Sequence, residues 1–488
     1  MDITILAAYF AAAAAIGVLF GRRQCSTEDY FLGRRRIPWV VVAASLFATE
    51  LSALTVIGVP AKGFDSDFWY LQYFFGSALA RVAIAFIFLP AFYGHRVTTV
   101  YEYLGLRFGP WTRAAGALLF FLSRVLGSGV RLLAASIALQ MVTGWDLLTV
   151  IALTALLAVA YVCFGGIKAI VWTDAFQATV FIGGAVAMIV YLVGQIPGGW
   201  SAAWEAASSA GKLKLFHFGV SLNNDMSFVL GLANGFFVTF AALGTDQDLT
   251  QRLLTCKDVR ASQRSILVTA VVGLPIVITF LLIGTLMFVY ATCHAVDLPR
   301  VADDVYPYFL AHICPTGLRG VLIAGVFAAG MSSLDSALGA LSSSAVFDFY
   351  RPYFRREASE THYLRVSRVL VLAFGAIIVG MAWAFSGSED ILRLAFRIAS
   401  IVFGPMLGVF LLGTLTRRGR DKNNVAAMIT AGLLLLLLDG YQRTTGTVYL
   451  AWPWYIVAGT GLTFLWGWLA WPRHGGHSSG FPVVDSAQ

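Results

Sequence analysis

Long apolar runs separated by short polar loops dominate this chain and confine it to a bundle of membrane-spanning helices. About thirteen runs of roughly 18–28 residues are long enough to cross the hydrocarbon core with some tilt. They fall near 3–21, 37–60, 68–93, 115–142, 147–164, 168–194, 228–246, 264–292, 317–349, 364–385, 389–413, 424–440 and 450–471. Charged residues make up only 12% of the chain, where soluble domains carry about a quarter. The expected class is an all-α membrane protein. The first run reads as an extra N-terminal helix within 1–22 and not as a leader peptide. No basic segment precedes it, and Gly21-Arg22-Arg23 reads as a stop-transfer edge.

Orientation follows Lys and Arg, which favour the cytoplasmic side. Loops after the odd-numbered runs, with the tail, hold 23 of them, against six on the other side: Lys62, Lys212, Lys214, Arg300, Arg319 and Arg443. This predicts an N-terminus outside and a C-terminus in the cytoplasm of a cell (inner) membrane. The net charge of +8 is thereby a topology signal and implies no nucleic-acid partner. Ten helices then divide into two five-helix units, 37–194 and 228–413, joined by an outer loop at 195–227. They begin on opposite sides of the membrane, which makes an inverted repeat, an arrangement that places binding sites near the midplane. Two peripheral helices occupy 424–471, and 472–488 is a cytoplasmic tail.

Ala329-Gly-Met-Ser332-Ser333-Leu-Asp335-Ser336 puts four oxygen-bearing side chains inside one apolar run. Polar groups at membrane depth are costly and mark partners or ion paths. Ser332, Asp335 and Ser336 share a helix face, and hydroxyls with a carboxylate are hard ligands suited to a small hard cation. A small-residue packing stripe is the plainer alternative, but packing gives no reason for Asp335. The first core helix is interrupted at Ala48-Thr49-Glu50-Leu51-Ser52, with Thr55, Gly58 and Pro60 just beyond. Unwound backbone at that depth lines a cavity and frees carbonyls to ligate a cation. The alternative is a kink at Pro60 with Glu50 paired to Arg124 or Arg131. Asp174, past Lys168, is either an ordinary acid at a helix start or a neighbour of Asp335 and Ser336. Two such acids repel unless a cation lies between them.

Five cysteines lack metal-like spacing. Cys293 and Cys314 share an outer loop, where a bridge and two free thiols are both open, and Cys25 falls in a cytoplasmic segment. No nucleophile elbow, phosphate loop or zinc constellation is present, so no enzyme is expected. The 195–227 loop, with Trp200 and Trp204, is either a lid or a connector.

Asp29-Tyr-Phe-Leu-Gly33-Arg, the Gly165-to-Asp174 run, Gly244-Thr-Asp246-Gln247-Asp-Leu-Thr-Gln251-Arg252, Ala329–Ser336 and Gly404-Pro405-x-x-Gly408-x-Phe-Leu-Leu-Gly413 follow in order. Together they resemble the signatures of the sodium/solute symporter family, over about residues 1–475. The resemblance implies a LeuT-like core of five plus five inverted helices with the first and sixth broken, which alternates access while co-transporting one or two sodium ions. The family's main sodium site would map to Ala48, Leu51, Ala329, Ser332 and Ser333. A second site, as in carriers similar to sialic-acid transporters, would map to Asp174, Ser332, Asp335 and Ser336, with Asp335 standing where a hydroxyl is usual. Thr239 and Ala242 stand where sugar carriers have an Asn and a Tyr, which argues against a sugar. Arg131 matches the arginine that sialic-acid carriers present to a carboxylate, a role suited to its planar fork. Glu50 matches an acidic position of proline carriers.

The expected solute is a small carboxylate such as sialic acid or a monocarboxylate, with an amino acid second. Thr49, Glu50, Ser52, Thr55, Gln72, Arg131, Phe236 and Thr239 are the candidate binding residues. Proton coupling through the intramembrane acids and a solute sensor are the competing readings. The expected partners are the solute and membrane lipid, with no obligate protein partner.

Overall fold

The computed structural model describes residues 1–21, 24, 26–218, 227–387 and 391–470. Arg22, Arg23, Cys25 and the 472–488 tail lie outside the described residues. Helix α1 (Asp2–Gly21) leads through the short α2 (Thr27–Leu32) into a first core span made of two pieces, α3 (Trp39–Glu50) and α4 (Ala53–Asp65). The chain continues through α5 (Leu71–Gly94), the short α6 (Val100–Arg107), α7 (Pro110–Thr143) and α8 (Leu147–Gln195). After α9 (Gly199–Ser209) a second broken pair follows, α10 (Phe228–Gly244) and α11 (Gln247–Leu253). Then come α12 (Val259–His294), α13 (Ala302–His312), α14 (Leu318–Ser344), α15 (Glu360–Ala384) and α16 (Ile391–Leu415). The outlying α17 (Asp421–Thr445) and α18 (Trp454–Leu469) pack against α16.

Among the described residues nine helices are long and apolar enough to cross a membrane, and eleven if each bent pair is one span. The difference from thirteen lies in α8 and α18. The 49-residue α8 is counted once although it is two spans, bent at Gly166 with φ 57 and ψ −161. A Cβ at Gly166 would sit 2.7 Å from the Tyr30 carbonyl, so only glycine fits that left-handed corner. With 16 residues, α18 is just short of a full span. The first core helix breaks at Leu51–Ser52, where Leu51 has ψ 70, and not at Gly58 or Pro60. Pro60 is carried inside α4, which runs unbroken from 53 to 65.

The two halves repeat each other in opposite orientation. The α3–α4 pair bends by 61° and the α10–α11 pair by 68°. Each broken helix also meets the second helix of the other half through glycines. On the α4–α12 seam a Cβ at Gly63 would lie 2.1 Å from the Leu281 carbonyl, and one at Gly284 would lie 1.9 Å from that of Pro60. On the α5–α10 seam, Gly76 stands 2.0 Å from the Leu232 carbonyl and Gly235 stands 1.9 Å from that of Tyr73, on the same measure. At these four positions no side chain fits, so backbone packs on backbone there, as small residues allow in membranes.

The buried apolar residues fall into two large clusters, one toward the Asp29 end and one toward the Asp2 end of the bundle. Leu46 belongs to the first and Phe47 to the second; Val171 and Ala178 divide likewise on α8, and Leu334 and Ala329 on α14. Between them lies a polar layer that includes Ser45, Thr49, Asp174, Gln177, Ser332 and Ser333, all buried. A polar layer at mid-depth needs internal partners, and these make up the candidate site.

Candidate functional site

Helix α14 crosses the break of the first core helix and closes one end of it. Ser332 Oγ donates to the Ala48 carbonyl at 2.8 Å, and Ser333 Oγ donates to the Ala329 carbonyl at 3.2 Å. Leu51 is buried and caps α3: its amide still donates to the Phe47 carbonyl at 2.9 Å, and its ψ of 70 turns the chain out of the helix. Of the five residues expected at a sodium site, Ala48, Ala329, Ser332 and Ser333 are thus joined by hydrogen bonds across α3 and α14, and Leu51 caps the same break.

The acids expected beside it lie one layer over, on α8 and α14. Asp174 Oδ2 accepts from Ser45 Oγ at 2.6 Å, from Thr49 Oγ1 at 3.4 Å and from Arg252 Nη2 at 2.9 Å. Asp335 Oδ2 accepts from the Tyr161 hydroxyl, and Ser336 Oγ donates to the Ser332 carbonyl. The second oxygens of both acids, Asp174 Oδ1 and Asp335 Oδ1, are buried with no hydrogen-bond partner. The repulsion expected between the two acids is eased by Arg252, a residue whose role the sequence reading missed. Thr49, expected to line a solute pocket, turns instead to Asp174 and to the Ser45 carbonyl at 3.0 Å.

Glu50 pairs with neither Arg124 nor Arg131. Its partner is Arg81 on α5, which also donates to Ser77 and, at 3.1 Å, to Thr269. Thr239 Oγ1 donates to Ser77 Oγ at 2.7 Å, and Thr55 Oγ1 donates to the Glu50 carbonyl at 3.5 Å. Glu50, Thr55 and Thr239 therefore converge, with Arg81 and Ser77 as members that sequence reasoning did not name. An arginine amid an apolar run at 68–93 was the available signal. Ser52 is buried at the break, and Phe236 packs beside Gly76 on the α5–α10 seam. Gln72 faces the loop, donating to the Trp69 carbonyl at 3.0 Å and accepting from the His217 amide at 3.2 Å. Among the described residues Arg131 makes no hydrogen bond or ion pair, while Arg81 and Arg124 are both paired.

Arg124 is occupied elsewhere because its helix face meets the second break. It binds Asp246 at 2.8 Å and Asp248 at 2.9 Å, and Arg252 binds Asp248 at 2.8 Å. These four side chains are each at most 6% exposed. With Asp174 they form a chain of alternating charge from α7 through α11 to α8. Gln251 Nε2 donates to the Phe31 carbonyl at 2.7 Å, and the Val100 amide donates to Gln247 Oε1 at 2.9 Å. These bonds tie α11 to α2 and to the start of α6 at the Asp29 end of the bundle. At the other end His217 meets Asp67 at 2.7 Å, Phe68 N donates to the Lys214 carbonyl at 3.0 Å, and Lys212 donates to the Phe64 carbonyl. The described part of the 195–227 loop is a strap over the end of α4. Cys293 and Cys314 are both free: Cys293 is exposed, while Cys314 is buried with its thiol 3.8 Å from Met188 Sδ.

The sequence profile of the sodium:solute symporter family matches residues 30–431. Human sodium-coupled monocarboxylate transporter 1 is 31% identical over 450 residues, covering 90% of this chain and 73% of that protein. The sodium/sialic acid symporter SiaT of Proteus mirabilis is 28% identical over 443 residues, covering 89% of each. A solved substrate-bound, outward-open sodium-coupled sialic acid symporter superposes with a TM-score of 0.87 at 26% identity, over 96% of this chain and 97% of that one. Together with the doubly broken, all-helical core, these matches assign the chain to the sodium:solute symporter family, whose members are sodium-coupled transporters and not enzymes.

Proposed function

We propose that this symporter imports a small organic carboxylate, with a monocarboxylate or sialic acid as the class, and that sodium binds first at Ala48, Leu51, Ala329, Ser332 and Ser333. The bond from Ser332 Oγ to the Ala48 carbonyl carries this reading, because it joins α14 to the break. An ion held by both elements favours the arrangement in which they meet, and that arrangement also shapes the solute pocket. The second sodium would lie at Asp174, Ser332, Asp335 and Ser336, where two buried carboxylate oxygens lack partners.

For the solute, the names of the relatives support a carboxylate. Arg131, without an ion pair among the described residues, is the available cation for it; Arg81 is already neutralised by Glu50. Ser52, Thr55 and Thr239 would face the rest of the solute. An amino acid is the second reading, favoured by Glu50, whose Oε1 is buried without a partner and would accept from an ammonium. The Lys and Arg asymmetry supports an N-terminus outside and a C-terminus in the cytoplasm of a cell membrane.

The test is thermal stabilisation of the purified protein by acids, amino acids and sugars, with sodium or potassium as the only cation. A ligand of the folded state raises its apparent stability by mass action. A carboxylate that stabilises only with sodium supports the proposal. Stabilisation by carboxylates that is indifferent to sodium would overturn it.

A further inference from the structure

The extra N-terminal helix has no place in the ten-helix core, yet it is fastened to both helices that carry the acids of the second cation site. At its start, Asp2 accepts from the amides of Gly317 and Gly320 at 2.6 and 3.2 Å and pairs with Arg319 at 2.7 Å, which joins it to α14. At its end, a Cβ on Gly21 would lie 2.5 Å from Gly165 Cα, so α1 and α8 touch backbone to backbone. Between those two anchors Tyr9, buried, stacks on Phe176 with ring centroids 5.9 Å apart. Its hydroxyl lies within electrostatic reach of both Asp174 and Asp335.

Gln177 stands one turn from Asp174 on the same face of α8 and is fully buried. Its Nε2 donates to Tyr9 Oη at 3.2 Å. That bond engages one N–H of the amide, and the acceptor end, Oε1, is left buried with no partner. Three acceptor oxygens are therefore orphaned in one stretch of the polar layer: Asp174 Oδ1, Gln177 Oε1 and Asp335 Oδ1. An unmet buried acceptor is costly, and more so if charged. A cation placed within reach of all three would give each a partner.

We propose that Gln177 Oε1 is a further ligand of the second cation site, and that Tyr9 is a positioning residue that holds its amide in the ligating orientation. This rests on the second-site reading given above. The N-terminal helix then takes part in ion coupling, since it orients a ligand and braces the two helices between which the cation lies.

The experiment is sodium-dependent thermal stabilisation of the full chain against potassium, fitted for half-saturation and slope, for the parent, Gln177→Leu, Gln177→Glu, Tyr9→Phe and Asp335→Asn. Gln177→Leu is expected to raise the half-saturating sodium about tenfold and to flatten the slope, as expected for loss of one charge-directed oxygen. Tyr9→Phe, which keeps the ring, moves both in the same direction, by up to about tenfold for an orienting partner. Gln177→Glu keeps an oxygen in place and restores binding, which separates loss of a ligand from loss of packing. If Gln177→Leu and Tyr9→Phe matched the parent while Asp335→Asn shifted, the second site would stand without Gln177 and α1, and this proposal would fall. If Asp335→Asn also matched the parent, the second-site reading itself would fail.

Discussion

Arg252 Nη2 lies 2.9 Å from Asp174 Oδ2, with both side chains at most 1% exposed. The half-helix after the second break is thus tied to the helix that carries the first acid of the ion layer. A charge pair of this kind contributes little net energy relative to apolar packing, but breaking it by removing one partner is costly. The loss would leave Asp174 and Asp248 without their shared cation.

Arg252→Gln is expected to lower stability by about 3–5 kcal/mol in the absence of sodium. Added sodium should recover part of the loss, because a cation can stand in for the guanidinium beside Asp174. Melting curves of the variant with and without sodium check this; an identical loss in both would separate Arg252 from the ion layer.

Ser332→Ala and Ser333→Ala are expected to raise the sodium needed for half-maximal transport and to weaken solute binding in step. Linkage requires that an ion that strengthens solute binding is itself strengthened by the solute to the same factor. Equilibrium binding of solute across a sodium series provides the measurement. Unchanged sodium dependence in both variants would remove the two hydroxyls from the site.

Arg131→Gln is expected to abolish carboxylate-induced stabilisation while leaving sodium-induced stabilisation in place. Lys at 131 should restore only part of it, because an ammonium lacks the bidentate fork. Retained carboxylate stabilisation in Arg131→Gln would shift the anchor to Arg81.

Glu50→Gln separates the two solute classes. If the solute is a simple carboxylate, the substitution is expected to disturb Arg81 but leave solute choice unchanged. Loss of amino-acid stabilisation alone would favour the amino-acid reading. Parallel melting curves with a monocarboxylate and a neutral amino acid decide between them.

Gly284→Val is expected to destabilise the fold by about 1–3 kcal/mol or more, because the first added carbon would meet the Pro60 carbonyl. Gly380→Val on α15 serves as the control, since nothing lies within 4 Å of its Cβ position. Comparable melting points for the two would contradict the close seam.

The bundle was legible in the sequence because hydrocarbon leaves few choices: a long apolar run is a helix. The polar layer was legible for a related reason, since Ser332, Ser333 and Asp335 are conspicuous where polarity is costly. Pairings between distant arginines and acids were not legible. The sequence offered Arg124 or Arg131 as a partner for Glu50, but it could not tell that Arg124 meets Asp246 and Asp248 while α5 brings Arg81 to Glu50. Pro60 pointed to a kink that packing overrode, because the ladder yields at Leu51–Ser52. The orientation of Thr49 toward Asp174 depends on which helix lies behind α3, and local sequence does not carry that information.

The four glycines at the two seams bring α4 to α12 and α5 to α10 at backbone distance. Ring contacts such as Phe64–Phe288 and Phe88–Phe240 lie along the same seams, so each pair is close at its glycines and keyed by side chains beyond them. A change of access is then expected to fall at the two breaks, Leu51–Ser52 and Thr245–Asp246, with each pair tilting as a unit. In that reading the pairs are levers on two short unwound links, and the arginine–aspartate chain at the second link is the catch that would have to open before they swing.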